Sequence, residues 1–207
     1  MNIWNKLGFT ENPYSPRPIA GDEVGSSLLV GRERELRRLI GYIASSDTHP
    51  TLEGANGVGK TSLVAVAGYK LLKAWEAGDS NQAIIPLSDP FQLTPEIKIA
   101  EFKRQILYRV AQAFFENHDR LKQRGFNVPE TGLIKAWLNS PILGGLAGGV
   151  SIAGWGASAE KTQSANTSEG FTEAGFVSTI TGWLRDCFPA NSSGCFLCVI
   201  DNIDLNP

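Results

Sequence analysis

The chain has 207 residues, with 19 Lys plus Arg against 21 Asp plus Glu and a net charge of -2. A hydrophobic share of 42% beside 19% charged residues permits a core and excludes a globally disordered chain. The near-neutral balance gives no general attraction to nucleic acid, and three cysteines without a secretory signal point to a reducing cytoplasm.

Residues 1–27 read as an irregular, proline-rich arm, with Pro13, Pro16 and Pro18 close together. Its apolar residues Ile3, Trp4, Leu7, Phe9 and Tyr14 need a surface to cover, so the arm is expected to lie on a domain spanning 28–207. From Glu33 onward, Leu36, Leu39, Ile40 and Ile43 recur at helical spacing. Arg32, Arg34, Arg37 and Arg38 are expected on the solvated face of that helix.

The stretch Gly54-Ala55-Asn56-Gly57-Val58-Gly59-Lys60-Thr61 fits G-x-x-x-x-G-K-[ST] at every fixed position. Glycines let backbone N–H groups wrap a phosphate without Cβ clashes. The lysine of such a loop reaches the β- and γ-phosphates, and its Thr hydroxyl holds Mg²⁺. Thr51, Leu52 and Glu53 read as a short strand before the loop. Ser62 to Lys73 read as the helix after it, whose N-terminal end faces the phosphates, with a stop at Gly78. Cofactor contacts are therefore expected from Gly54 through Ser62.

Ala83 to Leu87 read as a second buried strand. Thr94 as N-cap and Pro95 as first residue open a long helix to about His118. Its apolar stripe is Ile99, Phe102, Ile106, Val110, Ala113 and Phe114, with Lys98, Lys103, Arg104 and Arg109 on its wet face. Between Lys135 and Glu160 no residue is charged, which raises the question of a membrane segment. Pro141 and glycines at 144, 145, 148, 149, 154 and 156 speak against it and for a glycine-rich hairpin inserted at about 140–170. Val150, Ile152 and Trp155 would form its apolar side. Phe176, Ile180, Trp183 and Leu184 then share one face of a helix ended by Pro189.

Phe196-Leu197-Cys198-Val199-Ile200-Asp201 is an apolar run ending in a carboxylate. Following a complete phosphate-binding loop, it reads as a Walker B strand whose Asp201 holds Mg²⁺. Asn202 follows Asp201, so the next carboxylate along the chain is Asp204. Cys195 and Cys198 make a C-x-x-C, but strand alternation sends i and i+3 to opposite faces. They are expected to be buried small apolar residues rather than a metal or redox pair.

The segment Val30-Gly31-Arg32-Glu33-Arg34-Glu35-Leu36, placed ahead of the Gly54 loop, resembles the nucleotide-binding domains of STAND-type signalling ATPases and AAA+ ATPases of the replication-initiator type. The resemblance implies a three-layer α/β P-loop NTPase fold with a parallel sheet. It implies ATP and Mg²⁺ as cofactors, with Val30 and Gly31 against the adenine and Lys60 and Asp201 in catalysis. It further implies a nucleotide-dependent oligomerisation switch with a downstream sensor or effector, as in many bacterial defence and regulatory proteins. A DNA-loading ATPase and a scaffold with little turnover are the alternatives. In that family a further strand lies between the phosphate-loop strand and the Walker B strand. The expectation is therefore that these residues are the N-terminal part of a longer chain.

Overall fold

A computed structural model describes residues 3–6, 17–45, 49–140, 172–190 and 194–201. The expected glycine-rich hairpin, Asn202 and Asp204 lie outside them. The chain divides into two compact units, Met1–Ser80 and Asn81–Pro207. The phosphate-loop motif belongs to the first and the Asp201 run to the second.

The first unit is helical. α1 (Ile3–Lys6) and α2 (Glu23–Leu28) break the arm that the prolines suggested was irregular throughout. Asp22 caps α2, its carboxylate accepting the Gly25 N–H at 2.7 Å. α3 (Glu33–Ala44) and α4 (Lys60–Ala77) form the core of the unit. Leu36 and Leu39 pack with Leu63, Val66 and Ala67, and Ile40 and Ile43 close the margin, as the helical spacing predicts. Each buried leucine contributes roughly 1.5–3 kcal/mol relative to exposure. α4 stops at Gly78, whose N–H reaches the Trp75 carbonyl at 3.1 Å while that of Asp79 reaches Ala74 at 2.9 Å.

Thr51, Leu52 and Glu53 are not a strand. Among the described residues no neighbouring strand exchanges hydrogen bonds with them, and a strand exists only through such a ladder. Leu52 still turns its side chain onto the α3–α4 core.

The second unit is a mixture of helix and parallel strand, so the chain is of the α/β class. β1 (Ala83–Pro86) pairs in parallel with β3 (Gly194–Leu197), and β2 (Phe91–Gln92) with β4 (Ile200–Asp201). Each described sheet has two strands. Ala83 lies opposite Gly194 and Phe91 opposite Ile200. The first strand thus uses two more residues than the second between the ladders. The excess loops out around Ser88-Asp89-Pro90, where proline has no N–H to give a ladder.

β1 is buried, as its apolar run requires. The Walker B-like run is not: β3 and β4 are mostly half-exposed, and Cys198 and Val199 interrupt them. Among the described residues these strands are paired on one side alone. The expected burial of the cysteine pair fails with it. Cys195 is exposed and Cys198 half-buried, whereas Cys187, on a helix, is buried and its thiol is pushed up to about 12 by desolvation.

α5 (Ile99–Glu116) packs on α7 (Thr131–Leu138) and α8 (Glu173–Cys187), while α6 (His118–Gln123) follows α5 after a break at Asn117. The long helix starts at Ile99, not Thr94. The Ile97 N–H closes on the Thr94 carbonyl at 3.1 Å, so Pro95 occupies the second position of a turn. The fixed proline φ suits that position as well as a first helical turn. Ile99 is accordingly 74% exposed instead of joining the stripe. α7 had no assigned counterpart; it buries Ile134 and Trp137, and Trp137 meets Phe176 of α8 at 5.6 Å between ring centroids.

Phe114 on α5 joins the layers. Its ring meets Phe196 of β3 edge-on at 4.9 Å and Trp183 of α8 at 6.0 Å, and it stacks with Phe188 at 6.5 Å. Gly194 begins β3 beneath this cluster. A Cβ there would sit 2.3 Å from Cδ1 of Phe188 and 3.2 Å from Phe126. Gly194→Ala is therefore expected to cost about 1–3 kcal/mol by forcing packed rings aside. An unchanged urea midpoint would show that Phe188 swings freely.

Candidate phosphate-binding site

The loop connects Leu52, held on the core, to the first turn of α4. It must reverse direction in a few residues, and it does so with positive φ at Gly54 (157°), Gly57 (80°) and Gly59 (84°). At Gly57 and Gly59 nothing lies within 4 Å of a would-be Cβ, so backbone conformation and not space requires glycine there. Gly59 is also the N-cap of α4 and supplies no side chain to cap it. The first hydrogen bond of the helix runs from the Leu63 N–H to the Gly59 carbonyl at 2.9 Å. N–H groups earlier in a first turn have no intrahelical acceptor, and α4 carries no acidic residue in its first turn. This is a helix end whose partial positive charge is offered to an anion.

Lys60 crosses the loop. Its Nζ donates to the Gly54 carbonyl at 2.8 Å and the Ala55 carbonyl at 3.1 Å. Ala55, Asn56, Gly57 and Val58 form the exposed rim, and Thr61 is half-buried at the base. Ser62 faces the other way: it is buried and its Oγ accepts the Ile19 N–H at 2.9 Å. Its side chain thus anchors the arm, and only its backbone is left for a phosphate.

Val30 and Gly31 belong to the same unit. Val30 is 79% exposed, and Gly31 (φ 78°) donates its N–H to Glu33 Oε1 at 3.0 Å. The N–H of Glu33 itself, and after it that Gly31 bond, hold the Glu33 carboxyl below its usual range. Glu53 is exposed beside the loop.

Two arginines expected to be simply solvated are engaged. The Arg32 guanidinium donates to the Val58 carbonyl of the loop. In the second unit, Arg109 donates to the Asp89 carbonyl at 2.6 Å and lies over the Phe91 ring, 5.1 Å from its centroid, so it braces the looped-out turn. Asp201, also in the second unit, is half-buried, and its Oδ2 accepts from Gln92 Nε2 at 3.4 Å. Among the described residues no group of three or more His, Cys, Asp or Glu is gathered as a metal cage. None of the described helices is long and apolar enough to cross a membrane.

The donor set fits a phosphate. It combines a glycine-shaped loop, a helix N-terminus without acidic residues and an ammonium group at the loop mouth. Compared with protein-family models, curated proteins and solved structures, the chain matches none.

Proposed function

We propose that the Gly54–Thr61 loop binds the phosphates of ATP with Mg²⁺, and that the chain is the nucleotide-binding part of an ATP-dependent switch. The observation that carries this reading is the positive φ of Gly57 and Gly59 leading into an uncapped helix, with Lys60 Nζ across the loop. Lys60 would turn from two backbone carbonyls to the phosphates. The Thr61 hydroxyl is the oxygen ligand assigned to Mg²⁺, Asp201 stays the ligand that the sequence resemblance implies, and Val30 and Gly31 are assigned to the base. The P-loop NTPase fold of STAND or AAA+ type belongs to this proposal, as do self-association on nucleotide binding and a bacterial defence or signalling role. ATP hydrolysis is assigned to Lys60 and Asp201, with Asp204 as the alternative carboxylate.

Titration calorimetry with ATP tests the reading. Binding is expected in the presence of Mg²⁺, weakened when EDTA removes the metal, and competed by inorganic tripolyphosphate because the loop reads phosphate rather than base. An absence of heat and of competition at millimolar ATP would end the proposal. Size-exclusion chromatography with and without Mg·ATP then reads the switch: a shift to larger species is expected with nucleotide.

A further inference from the structure

A loop binds an anion only if its peptide planes present N–H groups inward, and each plane is set by where its carbonyl is held. Glycine makes this a real problem. With φ near 80° at both Gly57 and Gly59, the flanking peptides can rotate at little steric cost, because glycine accepts either sign of φ. Two cations oppose that rotation. Lys60 holds the carbonyls of Gly54 and Ala55 at the start of the loop. Arg32 holds the carbonyl of Val58 at its end. The Val58 carbonyl and the Gly59 N–H belong to one trans peptide, so they point in opposite directions. Holding the first therefore fixes the direction of the second.

We infer that Arg32 is a positioning residue of the phosphate loop, its hydrogen bond to the Val58 carbonyl orienting the Gly59 N–H for an incoming phosphate. The inference rests on the phosphate-binding reading and deepens it. Lys60 leaves its carbonyls when it turns to a ligand. Arg32 lies outside the loop motif, at the N-cap of α3, and can keep its hold throughout. Its position is built from both sides. Glu33 accepts the Gly31 N–H and shapes the turn that presents Arg32, and Glu35 lies 3.8 Å from its second guanidinium nitrogen. That ion pair is half-exposed and weak by itself; the guanidinium–carbonyl bond is the charge-assisted one.

The test uses Arg32→Ala and Arg32→Lys in the full chain, with hydrogen exchange of the loop peptide in the absence of nucleotide and affinity for inorganic tripolyphosphate and for Mg·ATP. Arg32→Ala is expected to speed exchange at Gly57–Lys60 and to weaken both ligands roughly tenfold, as for one hydrogen bond to a charged group. The thermal midpoint should stay near that of the wild type, since Arg32 is part-exposed. Arg32→Lys, which keeps the charge and one donor, should recover part of the loss. Glu35→Gln, which removes only the weak ion pair, should change both readouts little. Unchanged exchange in Arg32→Ala overturns the inference. So does a loss confined to Mg·ATP with tripolyphosphate unaffected, which would put Arg32 on the nucleoside. Faster exchange in a protein whose wild type binds neither ligand would sink the phosphate reading while leaving the Arg32–Val58 hold in place.

Discussion

Lys60→Ala is expected to raise the dissociation constant for Mg·ATP by roughly a hundredfold or more, which is about 2.7 kcal/mol or above. The magnitude follows from what the ammonium group does. In the structure it donates to the Gly54 and Ala55 carbonyls, and those bonds span the loop from its last residues to its first. A hydrogen bond to a charged group contributes roughly 1.5–3 kcal/mol, and a polyphosphate would take at least two from Nζ. Removing Lys60 therefore costs the ligand its cation and costs the loop its cross-brace. Arg32→Ala removes only one hold at one peptide, which is why its expected effect is smaller. Fluorescence anisotropy of a labelled ATP analogue checks the difference. Wild-type affinity in Lys60→Ala would mean that the anion site is somewhere else. The variant should fold, because Lys60 lies at the surface end of α4 and the α3–α4 core rests on Leu63, Val66 and Ala67.

Phe114→Ala is expected to destabilise the second unit by about 3–5 kcal/mol. Phe114 is fully buried and sits where α5, α8 and β3 meet. Truncation leaves a ring-sized cavity lined by Trp183, Phe188 and Phe196, three large planar groups that cannot each collapse into it. The lost edge-to-face contacts add to the transfer term. Urea denaturation followed by circular dichroism should show a second-unit transition at much lower denaturant. A change below about 1 kcal/mol would mean that the aromatic cluster repacks, contrary to the density expected of a core.

The glycine-shaped loop and the helix behind it were readable because their determinants are local. Glycines at 54, 57 and 59 permit the positive φ that the turn uses, and Gly78 ends α4 with its own backbone bonds. The α3 stripe was readable for the same reason, since residues three and four apart share a helical face. Thr94 and Pro95 misled because a proline φ serves a turn and a first helical turn equally. Ile99 carried the right spacing but falls in the opening turn of its helix, where it is exposed. α7 is short, and its buried Ile134 and Trp137 are too few to make a periodic signal.

What the amino-acid order determined by itself is therefore the glycine-shaped loop, the helices α3 and α4 and the buried strand Ala83–Pro86. Each depends on residues within a turn or two of one another, or on an unbroken apolar run. Tertiary structure alone decided which segments pair. Thr51–Glu53 lacks a ladder although it precedes the loop, and the run ending in Asp201 pairs on one side and stays half-exposed. It also decided that Arg32 and Arg109, two ordinary-looking charges on helical faces, reach carbonyls 26 and 20 residues away. Hydrogen bonds between distant segments form only when packing brings their backbones together, and no spacing rule along the chain encodes that approach.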